Sequence, residues 1–136
     1  MGPNALIEQA KAAMKRAYAP YSHYCVGAAV LTKSGNVYTG CNVENASYSA
    51  TNCAERTAIF KAISEGEREF SALAVVGGKD GNVTGFTPPC GVCRQVLLEF
   101  CAVDMPVYRT DGKTVRTVTV AELVPFAFTD ACMRET

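Results

Sequence analysis

The sequence contains no run of apolar residues that approaches the roughly 20 positions a helix needs to cross a membrane. Its first residues also lack the basic region followed by an apolar region that marks a secretory signal peptide. Internal repeats, low-complexity tracts and linkers are absent as well. The length of 136 residues suits one domain, so we expect a single cytoplasmic domain over residues 1–136 with no membrane partner.

Neither sign of charge is in excess, because Lys plus Arg and Asp plus Glu each number 13. A surface that binds duplex nucleic acid usually shows an excess of basic residues. We therefore expect no nucleic-acid partner, although a local basic patch stays open. The apolar fraction of 49% is slightly high for a compact domain, which would fit buried surfaces between subunits.

Histidine is nearly absent, with His23 alone, whereas cysteine occurs seven times. An odd number of cysteines does not fit a disulfide framework, and it favours a reducing compartment with a metal site. Cys25, Cys41 and Cys101 lie in apolar stretches, and we interpret them as small buried side chains. We interpret His23 as a loop residue without a catalytic role.

The remaining pattern is a pair of cysteine motifs, CAER at 53–56 and PCGVCRQ at 89–95. Each motif opens a predicted helix, whose dipole and free N–H groups lower the pKa of a thiol and favour the thiolate that binds metal. Cys53, Cys90 and Cys93 can hold one Zn²⁺ and leave its fourth position to water. Glu55 is close to this predicted site without being needed as a ligand, which makes it a candidate general acid and base.

Two other interpretations of the cysteines are open. A closed structural zinc site in an interaction module needs a fourth ligand, for which Cys41, Cys101 or His23 are available. Nothing in their spacing pairs them with the two motifs. A redox role for the Cys-x-x-Cys pair would not explain the CAER motif. An open zinc site explains both motifs together.

Three thiolates around one Zn²⁺ leave the site with a net negative charge, which makes a bound water less acidic. Arg56 directly follows Glu55 in the first motif, and Arg94 directly follows Cys93 in the second. We predict that both arginines donate hydrogen bonds to the sulfurs and offset this charge. The alternative is that they are surface residues of their helices.

Hydrophobic periodicity and turn residues predict the element order α-β-β-α-β-α-β-β. This pattern predicts an α/β domain with a mixed five-stranded sheet. Asn52 is predicted to cap the helix that carries Glu55, and no role is assigned to the loop 77–89. The predicted helices cover 5–18, 54–65, 91–100 and 121–124, and the predicted strands cover 24–32, 37–43, 73–76, 106–110 and 114–118.

With these motifs the sequence resembles the cytidine deaminases, a family of small, homotetrameric, zinc-dependent enzymes of nucleoside salvage. The shared features run from APYS at 19–22 to Phe128 and include VGAA at 26–29, GCNVEN at 40–45 and LVP at 123–125. The resemblance implies a three-layer α/β/α fold, one Zn²⁺ per chain and active sites at subunit interfaces of a homotetramer. It also implies hydrolytic deamination of cytidine and 2′-deoxycytidine to the uridines, with release of ammonia.

The resemblance also implies roles for individual residues. Zinc binding falls to the three motif cysteines and proton transfer to Glu55. From the residues alone, an Asn and a Glu at a strand end suit a diol but equally suit a turn. Tyr24 stands where the family usually has Phe, and the aromatic near the C-terminus is implied to reach the base from a neighbouring subunit. The implied nucleoside contacts are Tyr24, Asn42, Val43, Glu44, Ala54 and Phe128.

Related activities remain as alternatives. A deaminase of another aminopyrimidine nucleoside, such as blasticidin S, would share both cysteine motifs. A nucleic-acid deaminase is disfavoured by the neutral charge balance and by Glu44, which would repel a flanking phosphate.

Overall fold

The computed structural model describes residues 1–134, and Glu135 and Thr136 lie outside the described residues. Its centre is a five-stranded sheet in the order β2-β1-β3-β4-β5. Neighbouring strands are antiparallel except β3 and β4, so the sheet is mixed as predicted. The strands are β1 (Tyr24–Thr32), β2 (Val37–Cys41), β3 (Phe70–Lys79), β4 (Pro106–Thr110) and β5 (Val115–Thr119).

The helices cover both faces of this sheet, which confirms the three-layer α/β/α arrangement. On one face, α1 packs Leu6 and Met14 against alternate residues of β1 and β3, including Ala29. On the other face, α2, α3 and α4 bury residues such as Ile59 and Leu97 against the intervening strand positions. The helices are α1 (Pro3–Met14), α2 (Ala54–Ser64), α3 (Gly91–Phe100), α4 (Val120–Leu123) and α5 (Asp130–Arg134).

Strand direction brings the starts of α2 and α3 to one end of the sheet. Because β1 is antiparallel to both β2 and β3, the strands β2 and β3 run the same way. Each of these two strands is followed along the chain by one of the two helices. Both helices therefore begin beyond the carboxyl ends of parallel-running strands, where α/β proteins usually bind ligands.

Close contact between α2 and the sheet depends on a glycine in β2. A Cβ atom added at Gly40 would lie 2.5 Å from the Ala54 carbonyl oxygen and 2.6 Å from the Ala58 nitrogen. These are backbone atoms of α2, so they cannot rotate aside as a flexible side chain could. Gly40 thus sets how closely the first turn of α2 approaches β2.

Several element boundaries differ from the sequence-based prediction. The helix α1 ends at Met14 rather than at residue 18, because Tyr18 forms backbone hydrogen bonds with Asn42 and Glu44 instead. Asn52 does not cap α2, since its backbone pairs with Val43 and Cys53 takes the cap position. The helix α5 and the 3₁₀ turn Tyr48–Ala50 are further elements that the sequence patterns did not predict.

Within the described part of the chain, none of the helices combines the length and apolar character that crossing a membrane requires. The single-domain organisation over residues 1–136 stays a prediction.

Gly40→Ala is expected to destabilise the fold by about 1–3 kcal/mol, because the new methyl group must push the backbone of α2 away from β2. The measurement is urea-induced unfolding at one fixed protein concentration. Gly85→Ala is the matched control, since a Cβ atom there meets nothing within 4 Å. Equal midpoints for the two variants would show that α2 does not depend on this contact.

Candidate active site

A pocket of about 280 Å³ lies at the end of the sheet where α2 and α3 begin. One wall comes from the start of β1 and the residues after β2, and the opposite wall comes from the first turn of α2 and the segment before α3. The pocket therefore joins most of the residues that the sequence analysis singled out. Its lining includes Tyr24, Asn42, Glu44, Cys53, Ala54, Glu55, Thr87 and Cys90.

Three cysteine sulfurs converge beside this pocket, and two of these cysteines, Cys53 and Cys90, line it. Cys53 and Cys90 are the cap residues of α2 and α3, and Cys93 lies in the first turn of α3. The three Sγ atoms lie within 4.8 Å of one another, and those of Cys53 and Cys90 are 3.5 Å apart. Tetrahedral Zn–S bonds place sulfurs about 3.8 Å apart, so this donor set fits one Zn²⁺.

The charge state of the thiols also fits a bound cation. The pKa of Cys53 is lowered to about 5, mainly by a hydrogen bond from the Cys93 thiol and also by hydrogen bonds from Arg56 and Cys90. The Cys53 thiolate in turn raises the pKa of Cys93, and burial adds to this effect. The cluster thus already holds one thiolate, and a metal ion favours deprotonation of the remaining thiols.

Arg56 lies where the sequence analysis predicted it. Its Nη2 donates a hydrogen bond to Cys53 Sγ over 3.3 Å. The two residues are three positions apart at the start of α2, a spacing that puts side chains on one side of a helix. The guanidinium brings positive charge to a centre that three thiolates would make negative.

The prediction for Arg94 is corrected by the structure. Arg94 donates through Nε to the Pro89 carbonyl at 2.8 Å and through Nη1 to the Leu123 carbonyl at 3.2 Å. The described residues show no hydrogen bond from Arg94 to a sulfur. The reason is that Leu123 ends α4, so its carbonyl oxygen has no partner within that helix and needs a donor from elsewhere.

Glu55 is the buried carboxyl group of the pocket. It is the second residue of α2 and only 3% of its surface is exposed. Burial raises the pKa of Glu55 to about 7, and the neighbouring negative charge of Cys53 also raises it. A carboxyl group with a pKa near neutrality can both accept and release a proton during a reaction.

Asn42 and Glu44 both line the pocket, and each already holds part of the main chain. Asn42 accepts a hydrogen bond from the Val26 N–H at 2.9 Å and donates one to the Tyr24 carbonyl at 2.7 Å. Glu44 accepts from the backbone N–H groups of Tyr21 and Ser22 and from the Ser22 hydroxyl. The bond from the Ser22 hydroxyl holds the pKa of Glu44 below its usual range.

Val43 and Ala54 have different positions relative to the pocket. Ala54 is fully buried and lines it, and as the first residue of α2 its N–H has no partner within the helix. The Val43 side chain is exposed and is absent from the described lining, while its backbone pairs with Asn52. The predicted contact of Val43 with the nucleoside therefore stays a prediction.

Thr87 is a pocket residue that the sequence analysis missed. Its Oγ1 lies 2.6 Å from the Tyr24 hydroxyl, and its side chain is packed over Gly77. The bond joins the start of β1 to the segment that leads through two prolines to Cys90. The one feature of the sequence that could have indicated this contact is the hydroxyl of Tyr24, which stands where the family it resembles usually has Phe.

Phe128 does not line the pocket of its own chain within the described residues. Its side chain is 59% exposed, and it borders a separate cavity of about 210 Å³ beside α3. Its predicted contact with a nucleoside in a neighbouring subunit stays a prediction.

Comparisons with known proteins agree with this geometry. Residues 3–109 match the family described as the cytidine and deoxycytidylate deaminase zinc-binding region. The chain is 55% identical to the cytidine deaminase of Sporosarcina psychrophila, over 90% of this chain and 88% of that protein. It is 50% identical to the cytidine deaminase of Halalkalibacterium halodurans, over 96% of each. A crystal structure of cytidine deaminase from Burkholderia pseudomallei is 50% identical, with a TM-score of 0.87, and the match covers 94% of this chain and 100% of that one.

Arg56→Gln is expected to weaken Zn²⁺ binding by about 10- to 100-fold, because the thiolates lose a charged hydrogen-bond donor. The affinity is measured by competition with a chromophoric chelator. Arg16→Gln, at an exposed position outside the pocket, is the matched control. Equal affinities for both variants would contradict this role of Arg56.

Glu55→Gln is expected to stabilise the metal-stripped protein, and more so at higher pH. The folded-state pKa of about 7 lies above the unfolded value near 4.3. The contribution of the Glu55 carboxyl group to the free energy of unfolding is therefore fully present below about pH 4.3, and it is lost as the pH rises through about 7. Gln is neutral at every pH. The gain in the free energy of unfolding for Glu55→Gln relative to wild type should therefore be small at pH 5 and reach roughly 3 kcal/mol at pH 8.

The measurement is urea-induced unfolding of chelator-treated protein at both pH values. Glu69→Gln removes an exposed carboxylate and serves as the control. A stability gain for Glu55→Gln that does not grow with pH would mean that burial does not raise this pKa.

Proposed function

The chain belongs to the cytidine deaminase family, and from this premise we propose that it converts cytidine and 2′-deoxycytidine to the uridines by hydrolysis, with release of ammonia. The observation that carries the proposal is one buried carboxyl group, Glu55, that lines the same pocket as two of three converged thiols. A metal-activated water and a proton-transferring carboxylate are the two groups that this hydrolysis requires.

Cys53, Cys90 and Cys93 would hold one Zn²⁺ per chain. When bound, the ion supplies Lewis acidity, which makes water nucleophilic near neutral pH. Arg56 contributes positive charge next to Cys53 through its hydrogen bond of 3.3 Å. Because Arg94 is engaged with two carbonyl groups, Arg56 carries this role without it.

Glu55 moves the protons of the reaction. Its carboxylate accepts a proton from the attacking water and delivers it to ring N3 of the base, which makes C4 more electrophilic. The oxygen of this water bonds to C4, and its remaining proton then passes through Glu55 to the 4-amino group. The C4–N bond breaks, and the amino group leaves as ammonia. The burial that raises the pKa of Glu55 to about 7 supports both steps, because the group can alternate between its two protonation states.

The nucleoside would be held by residues from both sides of the pocket. Asn42 retains one N–H and Glu44 retains acceptor capacity for the ribose hydroxyls, and their existing bonds to the main chain hold both groups in place. The free N–H of Ala54 faces the carbonyl of the pyrimidine, and the Tyr24 ring contacts the nucleoside. The carboxylate of Glu44 disfavours a phosphate nearby, so the substrate is a nucleoside rather than a nucleic acid.

The active unit would be a homotetramer in which Phe128 closes the pocket of a neighbouring subunit. Phe126 and Phe128 are both exposed in the single chain, and aromatic side chains of this kind are enriched at protein interfaces. All seven cysteines are free, which suits the reducing cytoplasm and a role in pyrimidine salvage.

An assay of purified protein with cytidine tests the proposal. Ultraviolet absorbance should report conversion, a chelator should abolish it and added Zn²⁺ should restore it. Glu55→Gln should retain about one zinc per chain and lose roughly 10²- to 10⁴-fold in rate, because the proton-transfer group is removed. Glu69→Gln, which alters an exposed carboxylate, should behave as wild type.

A substrate panel with 2′-deoxycytidine, blasticidin S and single-stranded DNA separates the related activities. Cytidine and 2′-deoxycytidine should be turned over best. A Glu55→Gln variant with a near wild-type rate would overturn the mechanism. Preference for blasticidin S or for DNA would overturn the assigned substrate.

A further inference from the structure

The helix that begins with two motif cysteines also holds the C-terminal segment of the chain. Arg94 and Gln95 directly follow Cys93, and each donates a hydrogen bond to a main-chain carbonyl of that segment. Arg94 reaches the carbonyl oxygen of Leu123 at 3.2 Å. Gln95 Nε2 reaches the carbonyl oxygen of Phe128 at 2.9 Å. The N-terminal part of α3 thus binds both ends of residues 123–128.

Little else holds this segment. Within residues 1–134, the main chain of 125–128 makes no backbone–backbone hydrogen bond. Phe126 adopts a φ of 55°, in the left-handed region that a bulky residue rarely occupies, and its side chain is fully exposed. The bond from Gln95 is therefore the polar contact that sets where Phe128 stands.

We propose that Gln95 is a positioning residue, which holds the main chain of Phe128 so that its ring is presented to the active site of a neighbouring subunit. This inference rests on the proposed function and on a contribution of Phe128 to a partner's pocket. Gln95 does not line the 280 Å³ pocket of its own chain, so it acts through Phe128. The helix α3, which carries two zinc ligands of one subunit, would thereby position Phe128 in the nucleoside pocket of the neighbouring subunit.

The cavity of about 210 Å³ beside α3 explains why the bond matters. Gln95, Leu98 and Phe128 line it, so a segment without its anchor has space to collapse against α3. A collapsed Phe128 would no longer project from the surface. Since Phe128 would contact the bound nucleoside and not the proton-transfer groups, its loss should weaken substrate binding more than it slows the reaction.

The test compares Gln95→Leu, which removes the donor at similar size, with Glu99→Gln, a change in the same helix and beside the same cavity. Gln95→Leu should raise KM for cytidine roughly three- to tenfold, as expected for one lost hydrogen bond, with kcat within about twofold of wild type. Zinc content should be unchanged. Glu99→Gln should leave KM unchanged. Loss of zinc or an equal fall in kcat would overturn the proposal, because the effect would then arise in the subunit's own site.

Mixed oligomers test whether the effect crosses to the neighbour. Gln95→Leu chains are co-expressed with an excess of Glu55→Gln chains. Only the Gln95→Leu chains then have a working active site. Most of their neighbours are Glu55→Gln chains, in which an intact Gln95 holds Phe128. The KM of the mixture should return towards the wild-type value. An unchanged, raised KM would overturn the proposal.

Two further outcomes keep this inference separate from the proposed function. Wild-type protein that deaminates cytidine but sediments as a monomer would overturn the role of Gln95 and leave the activity standing. Wild-type protein that does not deaminate cytidine would overturn the proposed function itself. If Gln95→Leu does not assemble, Gln95→Glu, which cannot donate to the carbonyl, gives the same comparison of KM.

Discussion

The convergence of two helix starts on three thiols is the constraint on which the rest of the site depends. It requires β2 and β3 to run the same way, because α2 and α3 then begin at one end of the sheet. It also requires α2 to lie close to β2, which the absence of a side chain at Gly40 permits. Sulfurs from distant parts of the chain meet within 4.8 Å as a result of this topology.

The same convergence determines the electrostatics of the pocket. A thiolate at Cys53 is stabilised by the neighbouring Cys93 thiol and by Arg56. Burial raises the pKa of Glu55, and the negative charge of this thiolate raises it further. One source of negative charge thus supports metal binding and keeps a nearby carboxyl group able to hold a proton near neutral pH. Cys53 contributes to both effects because it lies two residues from Glu55 at the start of one helix.

Local sequence patterns predicted the parts of the structure that local interactions decide. The strand Tyr24–Thr32 and the helix Gly91–Phe100 match their predicted bounds, because apolar periodicity and turn residues mark them strongly. The prediction of α1 ran too long because Tyr18 pairs with a segment more than 20 residues away. Spacing alone also could not show that Thr87 would meet the Tyr24 hydroxyl, since the contact joins residues 63 positions apart.

The correction for Arg94 changes how the second cysteine motif is understood. Its cysteines supply metal ligands, whereas the two residues after them bind the main chain near the C-terminus. A motif of seven residues therefore serves both the cysteine cluster and the C-terminal segment. The hydrolysis of a nucleoside needs a pocket that excludes bulk water, yet Tyr24 in the pocket wall is 40% exposed in the single chain. A cover from outside the chain meets that need, and the exposed Phe128 held by α3 is a group able to provide it. If Phe128 covers the pocket of a neighbouring subunit, as we propose, the second motif serves its own site and that of its neighbour.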